Sequence, residues 1–317
     1  KSRDTAVRKT FFSILTPLIS IQFMSIMRNT IAFFTTALLL LGLTGCSNDE
    51  GAAPGEISIT SLSPEAGTVG TEVNILGTGF PQDPSEIELT FGEVPAPVLS
   101  VSNTRIVTNV PEGAASGEVR VRSGGVTAAA PVPFTVQSER VSATYRNLSA
   151  PQTGGQGEPV GGPFTRFSFE TGEITESDTE WDIAFRGTTI AVNGGTTTGT
   201  ADEPSRNGNA GAVLVTGIFD EIGSASGLSF TQDSEGAFAI PSGSGNGWYN
   251  YNPATFTVTP IPGRVLVLRT HDGKFAKVEI LSYYRDAPAE PNPMVDESRV
   301  YTFRYVYNPN DGDTTLN

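Results

Sequence analysis

An all-β chain of two successive domains is what three features of the sequence predict. Apolar and polar residues alternate through Trp181, Asp182, Ile183, Ala184, Phe185 and Arg186, the period of two that marks a strand with one apolar face. Between residues 57 and 137, short alternating segments are separated by turn residues about every ten positions, as in a sandwich. No helix-period apolar pattern of useful length occurs after residue 46.

In chain order, the first signal precedes both domains. Arg28 is followed by an apolar run over 31–43 and by Leu43, Thr44, Gly45 and Cys46. A basic segment, a short apolar stretch and small residues before a cut describe a secretory signal. The run is too short to cross a bilayer comfortably. Met27 is the better start, so residues 1–26 read as upstream sequence and 1–45 as upstream plus signal. The Leu-Thr-Gly-Cys ending resembles a bacterial lipobox, which implies that Cys46 carries lipid in the outer membrane. Cys46 is the chain's single cysteine, so no disulfide can form within the mature chain. Ser47, Asn48, Asp49 and Glu50 are similar to the surface-export signal of Bacteroidota lipoproteins, and 46–56 reads as a solvated tether.

Charge narrows the partners. The chain holds 20 Lys and Arg against 34 Asp and Glu, a net of −14. All but one of the acids lie after residue 45, so the mature part is more acidic still. Phosphate neutralisation needs a basic footprint, which excludes nucleic acid, and docking on anionic lipid is disfavoured for the same reason.

In the 57–137 region, Val73 and Ile75 alternate with polar neighbours, as do Ile87, Leu89 and Phe91, then Val119 and Val121 between Arg120 and Arg122. Pro64, Gly67 to Thr71, the run Ile75-Leu-Gly-Thr-Gly-Phe80, Phe91-Gly92, Val110-Pro111 and Gly117-Glu-Val119 resemble an IPT/TIG immunoglobulin-like domain. The segment holds no His, no Cys and no chemistry-bearing cluster, so a spacer is its expected role.

The second domain, expected over 142–309, opens its core with Phe164, Phe167 and Phe169. Residues 193–211 form a long polar loop, and Ala212 to Thr216 returns as a strand. Asp272-Gly273 between two alternating apolar runs predicts a hairpin, which leaves His271 as a solvated turn residue. Pro288, Pro291 and Pro293 stiffen a loop before a last strand through 300–307. Asn308, Asn310, Asp311 and Asp313 depart from calcium-loop spacing and read as a frayed end.

Trp181-Asp-Ile-Ala-Phe-Arg-Gly187, Ile190-Ala-Val-Asn-Gly-Gly195, the strand through Gly273 to Tyr284 and the closing run Tyr301 to Tyr307 resemble the β domain of HmuY-like lipoproteins. The resemblance implies a larger antiparallel β domain on the bacterial surface, and haem as the ligand of the founding role. It places one ligand just after a Gly-Trp such as Gly247-Trp248, where this chain has Tyr249, Asn250 and Tyr251. The other falls within 217–235, which holds neither His nor Met. With one His in the whole chain, a two-histidine ligation cannot occur.

Joint ligation by His271 and Met294 is excluded unless the loop folds back, because the intervening strand of about 11 residues is about 36 Å long. A Tyr ligand (Tyr249, Tyr251, Tyr283 or Tyr284), binding without ligation, or no binding remain open; the candidate ligand-binding residues are Trp248, Tyr249, Tyr251 and Met294, with no metal site predicted. No enzyme reading finds support: a nucleophilic triad would need His271, and the cysteine is assigned to lipid. The expected function is surface ligand binding, with haem as the implied ligand. The alternative is adhesion or glycan contact through the same aromatic residues. Three rings on a flat surface would favour glycan, and convergence on an apolar slot would favour porphyrin.

Overall fold

A computed structural model describes residues 56–155 and 157–317, so the predicted signal, Cys46 and almost all of the tether lie outside the described residues. Among the described residues the only helical turns are the single-turn 3-10 segments Pro84–Glu86 and Phe219–Glu221. No helix there is long and apolar enough to cross a membrane.

The first domain packs two four-stranded antiparallel sheets. One runs in the order Ser58–Ser63, Glu72–Thr78, Arg105–Asn109, Ser100–Ser102; the other Val94–Ala96, Glu88–Phe91, Val119–Ser123, Val126–Ala129. The alternation is realised residue by residue. Val73, Ile75, Leu89, Phe91, Val119 and Val121 are all buried, while Arg120 and Arg122 stay outside. Phe91 meets Phe134 edge-on at 5.1 Å, the favoured quadrupole geometry.

The second domain faces a five-stranded antiparallel sheet against a four-stranded one. The larger runs Val141–Ser149, Ser298–Asn308, Phe275–Tyr284, Arg264–Arg269, Gly211–Thr216. The smaller runs Glu173–Ile174, Thr165–Ser168, Ile183–Arg186, Thr189–Val192. Aromatic rings join them: Phe185 lies 4.8 Å from Tyr301 and 5.6 Å from Phe303, and Phe167 lies 5.3 Å from Phe303. Tyr301, Phe303, Tyr305 and Tyr307 alternate into this core, while Arg304 and Val306 take the other face. Part of that outer face is itself covered, because Phe219, Ala225 and Leu316 pack on Val265, Val267 and Val306.

Three expectations are corrected here. Trp181 does not share a face with Ile183 and Phe185; the strand begins at Ile183, and the indole joins Phe164, Ala184 and Ala191 in a separate cluster. The face of Asp182, Ala184 and Arg186 is not solvated, since all three are buried. The loop over 193–211 folds across it. Arg186 donates to the carbonyls of Gly162 and Ala201 and to Thr200 Oγ1, with its guanidinium 4.2 Å from the Phe164 ring.

That loop is pinned by buried polar bonds. Asn193 donates to the carbonyls of Thr179 and Trp181 and accepts from the amides of Asn207 and Gly208. Arg206 lies 2.8 Å from both Glu203 and Asp233, with all three side chains sequestered. The third correction is the C-terminal turn, expected to fray. Buried Asn308 donates to the carbonyls of Asp313 and Thr315 and holds it in place.

Candidate functional site

The four predicted ligand-binding residues part company in space. Trp248 is 1% exposed. Its indole N–H donates to the Thr188 carbonyl at 3.0 Å, and its ring lies 4.9 Å from Tyr249 and 5.1 Å from Tyr301. Both Trp248 and Tyr249 belong to the main core, which corrects their assignment as ligand contacts. A ring packed on three sides with its N–H satisfied has no face left for a ligand. Tyr251, 42% exposed, stands on the hairpin formed by Tyr249–Asn252 and Thr257–Pro260, opposite Val258. Met294 is 86% exposed in the Pro-rich loop. The described residues thus form neither the flat three-ring platform nor the convergent slot.

The hairpin carries a residue that sequence reading passed over. Phe256 is 64% exposed and has φ +59°, a left-handed conformation that a bulky L residue adopts at a cost of about 1–2 kcal/mol. Gly would occupy that position freely. Phe256→Gly is therefore expected to raise stability by about 1 kcal/mol, read as a higher urea midpoint at unchanged slope. The hairpin itself is hooked to the large sheet by the Val258 amide, which donates to Tyr284 Oη at 3.0 Å.

Beneath it, Val258, Pro260, Leu281, Tyr283, Tyr284 and Pro291 line a cavity of about 190 Å³. That is below the roughly 300 Å³ where ordinary ligand pockets begin. Burial pushes the Tyr283 and Tyr301 phenols well up, so neither supplies a phenolate at neutral pH. With His271 bonded to Asp182 and Tyr249 in the core, the exposed Tyr251 and Met294 are what the predicted residues still offer to a haem iron.

His271 is the remaining correction, because it is not a solvated turn residue. The predicted hairpin is present, with Gly273 at φ +95° and the Thr270 amide donating to the Lys274 carbonyl. The imidazole is turned inward. Asp182 Oδ1 lies 2.8 Å from His271 Nδ1 and also accepts the His271 amide at 2.9 Å; Oδ2 accepts the Phe169 amide. Asp182, His271 and Asp272 offer ligand atoms within 4.8 Å of one another, a spacing that a metal could use. Asp272, however, already accepts from Lys274 at 2.8 Å and from Thr270. The ammonium supplies the positive charge a cation would bring, so we read a structural cluster.

The hydrogen bond to Asp182 holds His271 above its ordinary 6.5, against the opposing effect of burial. A raised folded value means that protonation favours the native state. The contribution is fully present below about pH 6.5 and is lost as pH rises through the folded value. His271→Asn should remove this part of the pH dependence in urea titrations between pH 5.5 and 9; an unchanged profile would reject the linkage.

Comparison with known proteins bears on these two domains. Residues 58–136 match the IPT/TIG domain model, and residues 164–305 match the HmuY protein model. No curated protein matches the chain. Among solved structures, an auxiliary nutrient binding protein from Bacteroides thetaiotaomicron is 13% identical, over 72% of this chain and 68% of that one, with a TM-score of 0.26. A protein from Bacteroides vulgatus, proposed as HmuY-like and heme binding, is 12% identical over 55% of this chain and 97% of that one, with a TM-score of 0.33. A proposed lipoprotein from Bacteroides fragilis is 14% identical over 55% and 96%, with a TM-score of 0.32. TM-scores this low establish no shared arrangement.

Proposed function

The chain joins an IPT/TIG domain to a HmuY-type domain, and from that premise we propose a non-enzymatic ligand-binding protein, anchored through lipid on Cys46 and displayed outside the cell. The observation that carries the reading is the HmuY match over 164–305, which covers the four-stranded sheet and most of the five-stranded one, leaving out Val141–Ser149. A binding role is also consistent with where the polar groups go. Asp182, Asn193, Arg206 and Asp233 are spent on holding loops. The IPT/TIG domain serves as the spacer between lipid and binding domain.

For the ligand, exposed Tyr251 and Phe256 favour the face of a glycan over a ligated haem. Aromatic rings on a hairpin stack on sugar rings without an enclosed slot. The strain retained at Phe256 is what a position kept for contact would show. Haemin titrated into the full chain should therefore leave the Soret band without a saturable one-to-one shift. A saturable shift that Tyr251→Phe or Met294→Ala weakens would restore the haem reading. Retention on a glycan array should fall with Tyr251→Ala and with Phe256→Gly, although the latter variant is the more stable protein.

A further inference from the structure

The outer face of the five-stranded sheet holds a second candidate site, independent of the aromatic hairpin. Register places Ser142 opposite Val306 and Val306 opposite Lys277, so the three form one row across neighbouring strands. This row floors a cleft of about 590 Å³, walled by Ser138, Glu139, Arg140, Asp220 and Asn317, with Thr68 of the first domain at its edge. The volume falls within the range of small-molecule pockets. Tyr284, which anchors the hairpin, is seven residues along the strand from Lys277 and faces the main core. At about 3.3 Å per residue the two sites lie over 20 Å apart along that strand.

Lys277 is the unusual component. It is 1% exposed, and its ammonium donates to the Phe219 carbonyl at 2.7 Å and the Ile222 carbonyl at 3.0 Å. An ammonium carries three donors, and two are used by these carbonyls. Among the described residues no carboxylate lies within salt-bridge distance of Nζ; Asp220 instead lies 3.8 Å from Arg304. A buried cation is normally paired, since desolvation costs several kcal/mol. Its Nζ also lies 4.5 Å from the centre of the Phe219 ring, and the side chain lines the floor of the cleft. Arg140 adds a second cation at the wall, with Nε donating to the Asn317 carbonyl and Nη1 only 3.9 Å from Asp313. Ser138, Ser142 and Thr68 bring hydroxyls, and Val306 is the single apolar side chain of the lining. Glu139 and Asp220 add carboxylate acceptors to the lining.

We propose that this cleft binds a small hydroxylated carboxylate of the sugar-acid class, its carboxylate on Lys277 and Arg140 and its hydroxyls on the Ser, Thr, Glu and Asp side chains around them. The net charge of −14 works against anions at long range, so selection falls to these local groups.

Calorimetric titration of the full chain with glucuronate, glucose and inorganic sulfate tests the assignment. Glucuronate should bind at one site, with glucose at least about 10-fold weaker for want of a charge-assisted hydrogen bond and sulfate at least about 10-fold weaker for want of the hydroxyl contacts. Lys277→Met should weaken glucuronate by about 10-fold or more. Ser142→Tyr keeps Lys277 on its carbonyls and fills the cleft, so it should abolish binding in a folded protein and decides the matter if Lys277→Met does not fold. Tyr251→Ala should leave glucuronate binding unchanged, which separates this site from the hairpin. Absence of glucuronate binding, equal binding of glucose or sulfate, or full binding by Ser142→Tyr would overturn the proposal.

Discussion

Asp233→Ala is expected to cost about 3–5 kcal/mol, close to the whole margin of an ordinary domain. The Asp233 carboxylate accepts the amides of Val192 and Ala239 and is held by Arg206 through both Nε and Nη2. Removing it takes the partner from the buried Val192 amide and the half-buried Ala239 amide, and leaves a sequestered guanidinium with Glu203 as its one remaining carboxylate. The 193–211 loop should then detach from the face of Trp181, over whose ring Arg206 sits at 5.6 Å. Urea unfolding of Asp233→Ala, Arg206→Met and the double variant provides the check. The double variant should cost clearly less than the two single losses together, because both remove one network. Strict additivity would show that the two side chains do not act as a pair.

Trp248→Ala should cost a similar amount, about 3–5 kcal/mol, by leaving a cavity where the indole packs on Tyr249, Tyr283 and Tyr301. Tyr251→Ala and Met294→Ala, by contrast, should change stability by no more than about 0.5 kcal/mol. The contrast matters because the four residues stand as equal candidates in the sequence. Thermal or urea midpoints of the three variants would separate core from surface. A Trp248→Ala protein as stable as its parent would show that the indole is not part of the packing, and would return it to a binding role.

Much of the second domain could be read from local pattern. The alternation through 300–307, with Tyr301, Phe303, Tyr305 and Tyr307 turned one way, required only the period of two and is realised as such. So was the Asp272-Gly273 hairpin, because a tight turn is a local matter of φ and side-chain bonding. His271 within that turn was not legible. Its partner Asp182 lies 89 positions away, and nothing near either residue marks the other. The same holds for Asp233, whose partners come from 192, 206 and 239. Arg186 and Asp182 have the pattern of a solvated face. Only the return of the Gly- and Thr-rich loop makes that face an interior, and polar composition alone does not distinguish a loop in water from one sealed by Asn193.

By itself, the sequence determined the strand character of both domains, the Asp272-Gly273 turn, the inward rings of 301–307 and which two family models apply. These depend on the pleat and on turn stereochemistry, both of which act over a few neighbouring residues. The tertiary structure alone decided which aromatic residues are available to a ligand, and that Lys277 lies at the base of a cleft. Exposure and charge pairing depend on what other segments cover, and that is set by contacts between residues far apart in the chain.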